Sequence, residues 1–289
     1  MSTHAVYQRD DTRALIAAAL AEDLDVAGDR TVQSLVPSTA RLIGTLTAKQ
    51  AGVICGLPLV AQVCDAIQPG AVTIEHCSAD GTVVQAGAVV LRCHGHAGVL
   101  LSAERTFLNC CQRLSGVATV AARYAAAVAG TDAIVLDTRK TTPGMRWLEK
   151  HAVRMGGCRN HRIGLFDQVL IKENHIALHG DADPSAAVAH CRRQVGPDLP
   201  IEVEIERLED LEPVIAAGAD IVMLDNLPPS TIAQAVAIRG DRPVALEASG
   251  GITLANIRDY AKAGVDRISI GALTHSVTAL DLSLRCHIA

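Results

Sequence analysis

The chain has 289 residues, 49% hydrophobic and only 2% aromatic, with a formal net charge of −5. So apolar a chain builds a substantial core, which excludes global disorder. Two Phe, one Trp and three Tyr leave few rings for base stacking, and the net acidity excludes a general nucleic-acid surface.

Residues 11–22 (DTRALIAAALAE) have helical spacing and high Ala content, and predict a helix. RLIGTLTAKQAGVICG is rich in β-branched residues and Gly and reads as extended. AVTIEHC and AVVLRCHG predict two short strands flanking the turn-prone Ser78-Ala79-Asp80-Gly81. Next, AGVLLSAERTFLNCCQRLSGVATVAARYAAAVA predicts a long helix, broken near Ser115-Gly116. Strands followed by helices predict an N-terminal α+β domain over 1–115. The C-terminal segment, about 275–289, is expected to belong with it.

From Ala133 the rhythm changes. Six short apolar runs end in polar residues: AIVLDTRK, QVLIKENH, IEVEIE, IVMLDN, VALEASGG and RISIGA. Helix-like segments separate them. Apolar strands alternating with helices imply a parallel sheet covered on both faces. Residues 116–274 are therefore expected to form a TIM-like α/β barrel with fewer than eight regular strands, with Val117–Ala122 as a less certain further element. A doubly wound open sheet is the second reading. The first βα turn has no GxGxxG, which weakens it.

In such barrels the chemistry sits at the C-terminal strand ends. Those ends are Thr138-Arg139-Lys140, Lys172-Glu173-Asn174-His175, Glu202 and Glu204, Asp225-Asn226, Glu247 to Gly251, and Gly271. Alternation puts Glu202 and Glu204 on one face of their strand. The net charge hides an island here: residues 138–172 hold eight basic and two acidic residues, +6, against −11 elsewhere. A solvated basic helix face is the bland explanation, and a pocket for a small, multiply charged anion the sharper one.

Arg139, Lys140, Lys172, His161 and Arg162 form the basic set, in which two arginines can each grip a carboxylate or phosphate bidentately. Glu204 and Asp225 are candidate Mg²⁺ ligands, directly or through water, with a general base as the competing role. Ser249-Gly250-Gly251 and Gly271 lie late in the barrel, where backbone N–H groups commonly cradle phosphate. Together they predict a phosphosugar on the late glycines, Mg²⁺ near the acids and a carboxylated partner in the Arg/His corner. Glycosyl transfer with pyrophosphate leaving fits that set. A rival is Lys172 as a Schiff-base nucleophile, which would leave the acids and the second anion site unused.

The segment DTRKTTPGMRWLEKHAVRMGGCRNHRIGLFDQVLIKENHI (137–176) closely resembles the quinolinate phosphoribosyltransferase family. The likeness continues through SAERTFLNCCQRLSGVAT (102–119), MLDN (223–226), EASGGIT (247–253) and AEDLDVAGDRT (21–31), so it covers nearly the whole chain. The resemblance implies an N-terminal sandwich plus barrel and a homodimer in which one subunit's N-terminal domain covers the other's barrel mouth. It implies that quinolinate and phosphoribosyl pyrophosphate give nicotinate mononucleotide, pyrophosphate and CO₂, with Mg²⁺ required. By that resemblance Arg139, His161 and Arg162 bind quinolinate, with Arg105 contributed by the neighbouring subunit, and Thr138 is a further substrate-binding candidate. Lys140 and Lys172 lie between quinolinate and the phosphoribosyl group. Glu204 and Asp225 sit near ribose and Mg²⁺, and Ser249, Gly250, Gly251 and Gly271 near the 5′-phosphate. Met145, Glu173 and Cys158-Arg159 depart from the commoner pattern. The first two are near-isosteric. A different carboxylated acceptor, or a non-catalytic anion-binding relative, are the alternatives.

The remaining motifs have plain readings. His94 and His96 alternate on a strand without an evident third ligand, so they read as surface or packing. Cys110-Cys111 lie in a helix and read as packing. Nine cysteines without CxxC, and an N-terminus with no apolar stretch behind a basic one, point to reduced thiols in a cytoplasmic protein. No apolar run reaches roughly 18 residues, and no membrane span is expected.

Overall fold

A computed structural model describes residues 5–180 and 183–289. The chain divides into two compact units: one takes the chain up to Ala122, Thr141–Gly157 and Leu273–Ala289, the other Arg123–Lys140 and Cys158–Ala272.

The first unit opens with α1 (Asp10–Leu24) and α2 (Arg30–Leu35), the second capped by the Asp29 carboxylate accepting from Val32 N–H. There follow β1 (Arg41–Ala48), β2 (Gly52–Val53), α3 (Leu59–Ile67), β3 (Val72–Cys77), β4 (Val83–Val84), β5 (Val89–His96) and α4 (Ala97–Ala127). β3 and β5 pair antiparallel, while the short β4 between them pairs with β2.

α4 runs unbroken for 31 residues, so the expected break at Ser115-Gly116 is absent and Val117–Ala122 is helix. The pair serves close packing instead. Ser115 Oγ bonds both the N–H and the C=O of Cys55. A Cβ on Gly116 would stand 2.4 Å from the Thr278 carbonyl. A helical glycine marks either a break or a close approach, and here it is the approach.

The second unit begins with β6 (Ile134–Leu136), and α5 (Arg146–Met155) returns to the first unit. Glu149 on α5 accepts from Arg113 and Thr142, which anchors the TTPG turn. Then come β7 (Val169–Ile171), α6 (Glu173–His179), α7 (Pro184–Val195), β8 (Ile201–Ile205), α8 (Leu211–Ala216), β9 (Ile221–Asp225), α9 (Pro229–Arg239), β10 (Ala245–Ser249), α10 (Ile257–Lys262) and β11 (Arg267–Ser269). After α11 (Ala272–His275), β12 (Leu282–Ile288) pairs with β1 and completes a sheet of order β12-β1-β5-β3.

All six expected barrel strands form one parallel sheet, ordered β6-β11-β10-β9-β8-β7. β7 to β11 follow chain order without the reversal of a doubly wound sheet. The order is that of an α/β barrel opened between β6 and β7, and among the described residues the barrel does not close. Arg159 bridges to Leu136 and extends the β6 edge. Residues on both faces of β8, β9 and β10 are buried, which is why these strands read as near-continuous apolar runs.

A buried polar cluster ties together the first unit. Asp80 accepts from Tyr7 Oη (2.5 Å), His151 Nε2 (2.7 Å) and Gly56 N–H (2.9 Å). Burial raises the Asp80 pKa, but these donors outweigh it and the carboxyl sits below its usual range. A depressed folded pKa contributes stability that is present above the unfolded value, near 4, and is lost as pH falls through the folded one. Asp80→Ala is expected to cost about 3 kcal/mol in urea unfolding at pH 7. Wild type should approach the variant's stability as the pH falls through the folded Asp80 value.

Candidate active site

The strand ends of the second unit carry charged groups at nearly every position. Asp137, at the end of β6, is fully buried. Its Oδ1 accepts from His161 N–H at 2.9 Å and its Oδ2 from Asn160 Nδ2 at 2.6 Å. That carboxylate pins the Asn160-His161-Arg162 loop beside β6. Thr138 Oγ1 accepts from Lys140 N–H, shaping the turn that presents Arg139 and Lys140.

Arg139 and Arg162 are half-buried neighbours. Burial and the Arg139 charge both weaken the Arg162 guanidinium's hold on its proton. Arg139 Nε is buried with no acceptor among the described residues. Two guanidiniums that repel each other, one with an orphaned donor, make a site whose missing partner is an anion.

Beneath them lies a buried ionic cluster. His161 Nε2 stands 2.9 Å from Glu202 Oε2 and 3.3 Å from Glu247 Oε1, and Arg267 Nε stands 2.8 Å from Glu247 Oε2. Both carboxylates are fully buried. The donor atoms of His161, Glu202 and Glu247 lie within 4.8 Å of one another, and the Arg267 guanidinium supplies a cation there.

Burial lowers the His161 pKa, but the two carboxylates overcome it and push it up to about 9. The Arg162 N–H works against them, because it donates to Nδ1 at 2.8 Å and a charged ring has no acceptor there. That bond is made only while Nδ1 keeps its lone pair, that is, while the ring carries its proton on Nε2 alone.

At the next strands, Lys172 Nζ pairs with Glu204 Oε2 at 2.5 Å. Burial raises the Asp225 pKa, and Glu204 raises it further, while Lys172 and a Ser249 hydrogen bond oppose the rise. Asn226 adopts the left-handed region (φ 55°) and donates to Asp225 Oδ2 at 2.6 Å. A Cβ on Gly250 would meet Asn226 Oδ1 at 2.1 Å, so only glycine fits beside that turn. Gly250 (φ 88°) and Gly251 (φ 62°) are both left-handed, and Gly251 is open to solvent. A cavity of about 240 Å³ opens beside Glu204, lined also by Glu173, Glu206 and Arg207.

The strand ends thus gather Thr138, Arg139, Lys140, His161, Arg162, Lys172, Glu204, Asp225, Ser249, Gly250, Gly251 and Gly271 on one parallel sheet and its following loops. Arg105 is not among them; it is exposed on α4 in the first unit. Sequence reasoning placed Glu202, Asn226 and Glu247 at strand ends but gave them no role, and it overlooked Gln168 and Arg267. A Glu inside an otherwise apolar strand was the available signal for Glu202 and Glu247.

The fold and this mouth define a class: an α/β protein whose parallel sheet gathers charged side chains and glycine turns at its C-terminal strand ends. Comparison with known proteins narrows it. Residues 29–115 match the quinolinate phosphoribosyl transferase N-terminal domain and 117–285 the C-terminal domain of the same family. The chain is 42% identical over 279 residues to nicotinate-nucleotide pyrophosphorylase [carboxylating] of Mycobacterium leprae, covering 95% of this chain and 97% of that one. A probable counterpart in Bacillus subtilis is 41% identical over 89% of this chain and 87% of its own. The crystal structure of NadC from Streptococcus pyogenes superposes with a TM-score of 0.91 at 36% identity, covering 98% of each chain. Human nicotinic acid phosphoribosyltransferase, at 13% identity and a TM-score of 0.62, shares the fold alone. The chain belongs to the quinolinate phosphoribosyltransferase family.

Proposed function

We propose that this enzyme joins quinolinate to phosphoribosyl pyrophosphate and decarboxylates it, giving nicotinate mononucleotide, pyrophosphate and CO₂, a step of NAD biosynthesis. The observation that carries the site assignment is the paired Arg139 and Arg162 with an orphaned buried donor. Quinolinate is a dianion at neutral pH and meets that demand. A monoanionic pyridine acid satisfies it only in part.

Arg139, Arg162, Lys140 and Lys172 hold the carboxylates, with Thr138 shaping the turn and Arg105 of the partner subunit in a homodimer closing the site. Ser249, Gly250, Gly251 and Gly271 hold the 5′-phosphate through hydroxyl and backbone N–H groups. Glu204 and Asp225 face the ribose, where positive charge grows as the C1′–pyrophosphate bond breaks and the pyridine nitrogen bonds C1′. Fixed carboxylates there stabilise the transition state more than the ground state.

The same two carboxylates fit Mg²⁺. They are hard oxygen donors on adjacent strands, close enough for Glu204 to raise the Asp225 pKa, and a divalent cation relieves that repulsion. Bound there, Mg²⁺ would neutralise charge on the departing pyrophosphate.

Once ribosylated, the ring nitrogen is positive. Loss of CO₂ leaves an electron pair on the adjacent carbon, which that charge stabilises until a proton is taken up. The protein then needs no separate decarboxylation cofactor. Nine free thiols support a reducing cytoplasmic setting, and no described helix is long and apolar enough to cross a membrane.

Incubation with phosphoribosyl pyrophosphate, Mg²⁺ and either quinolinate or nicotinate tests the reading. Nicotinate mononucleotide is expected from quinolinate and not from nicotinate. Equal product from nicotinate would reassign the acceptor.

A further inference from the structure

We propose that Glu202 is a positioning residue for quinolinate recognition: it roots a closed circuit of polar contacts that fixes Arg162 from both its backbone and its side chain. The inference rests on the reading of Arg162 as a quinolinate ligand.

The circuit runs through four residues. Glu202 Oε2 lies 2.9 Å from His161 Nε2. His161 Nδ1 accepts the Arg162 N–H at 2.8 Å. Arg162 Nη1 donates to the Gln168 carbonyl at 3.1 Å. Gln168 Nε2 donates back to the same Glu202 Oε2. One carboxylate oxygen therefore terminates both arms.

The circuit is buried where it must be rigid. Glu202 is fully buried, His161 is 7% exposed and Gln168 8%. Glu202 stands on β8, whose pairing with β7 and β9 ties it to the parallel sheet. Glu247, braced by Arg267, meets the His161 ring from β10. Asp137 holds the His161 amide from β6. The loop 160–168 is thus held by strand-borne carboxylates on three sides. An arginine in a free loop loses rotamer entropy on gripping a carboxylate; one held at both ends has already lost it.

Both nitrogens of His161 are engaged within the protein. Its contribution to substrate binding therefore passes through Arg162, and His161 is a second positioning residue.

Substitution separates shape from charge. Glu202 Oε1 makes no hydrogen bond among the described residues, while Oε2 makes both contacts. Glu202→Gln keeps one oxygen for both arms and removes only the charge. Glu202→Leu removes the acceptor. Gln168→Leu cuts the side-chain arm while keeping the carbonyl that Arg162 uses, and serves if the Leu variant at 202 does not fold.

Steady-state kinetics with both substrates, alongside thermal melts, test the circuit. Glu202→Leu and Gln168→Leu are expected to raise KM for quinolinate roughly tenfold or more, with KM for phosphoribosyl pyrophosphate unchanged. Glu202→Gln is expected to stay within roughly threefold of the parent. Folded Leu variants with unaltered quinolinate KM, or an equal rise in both KM values, would overturn the proposal. So would Glu202→Gln failing as badly as Glu202→Leu, because charge rather than the circuit would then be at work. Arg162→Lys is the control for the underlying reading. If it leaves quinolinate KM unchanged, the ligand assignment fails; if it raises KM while the 202 and 168 variants do not, only the circuit fails.

Discussion

Lys172→Met is expected to lower kcat/KM about 10³-fold with little loss of stability. Lys172 is exposed at the end of β7, and its ammonium pairs with Glu204. Methionine keeps the apolar stem and removes only the charge, so the fold should survive. Catalysis should not, because the proposed site sets this cation between the quinolinate carboxylates and Glu204 and Asp225, and the variant lacks it. A second consequence follows from the neighbouring acids. Lys172 opposes the upward push that burial and Glu204 exert on Asp225. Without it, the Asp225 pKa rises further. The acid limb of the kcat/KM profile, below which Asp225 is protonated and ineffective, should therefore move to higher pH. Residual activity with an acid limb unmoved would detach Lys172 from this acid pair. A Schiff-base role predicts instead that reduction with borohydride in the presence of substrate traps a covalent adduct, which the electrostatic role does not produce.

The second large effect is a gain. Arg105→Ala and Lys140→Ala are each expected to be nearly inactive alone. If Arg105 of the partner subunit completes the site, mixing restores activity. After free exchange half the dimers are mixed, and each mixed dimer has one intact site, so about a quarter of native activity should return. Absence of rescue, with subunit exchange shown by mass-tagged chains, would place Arg105 and Lys140 in the same subunit's site or remove Arg105 from it.

Much of the second unit was legible in the sequence because its physics is local. A parallel strand covered on both faces must be apolar along its whole length, so IEVEIE, IVMLDN and VALEASGG announced β8, β9 and β10, and their polar termini announced the mouth. Barrel opening was less legible, since strand order is a property of the whole sheet. Gly116 misled because a helix tolerates glycine either to break or to approach, and the approaching Thr278 carbonyl lies 162 residues further along the chain. Val117–Ala122 misled because a short apolar run suits both a strand and a buried helix.

The site shows the same division. Arg139, Arg162, Lys172, Glu204 and Asp225 could be found from charge and strand-end position. What holds them could not. Glu202, Gln168, Glu247 and Arg267 come from separate segments and acquire meaning only when their side chains meet His161 and Arg162. Even the +6 island understated the site, because two fully buried acids outside it, Glu202 and Glu247, organise its basic residues from beneath.

In the proposed reaction one site transfers the phosphoribosyl group and releases CO₂ without a separate decarboxylation cofactor. Quinolinate labelled with ¹³C in its 2-carboxyl group tests it most directly. With phosphoribosyl pyrophosphate and Mg²⁺, labelled CO₂ and nicotinate mononucleotide should appear in equal amounts, and neither should appear when phosphoribosyl pyrophosphate is withheld. Label retained in a ribosylated product, or CO₂ released without the sugar, would contradict the account.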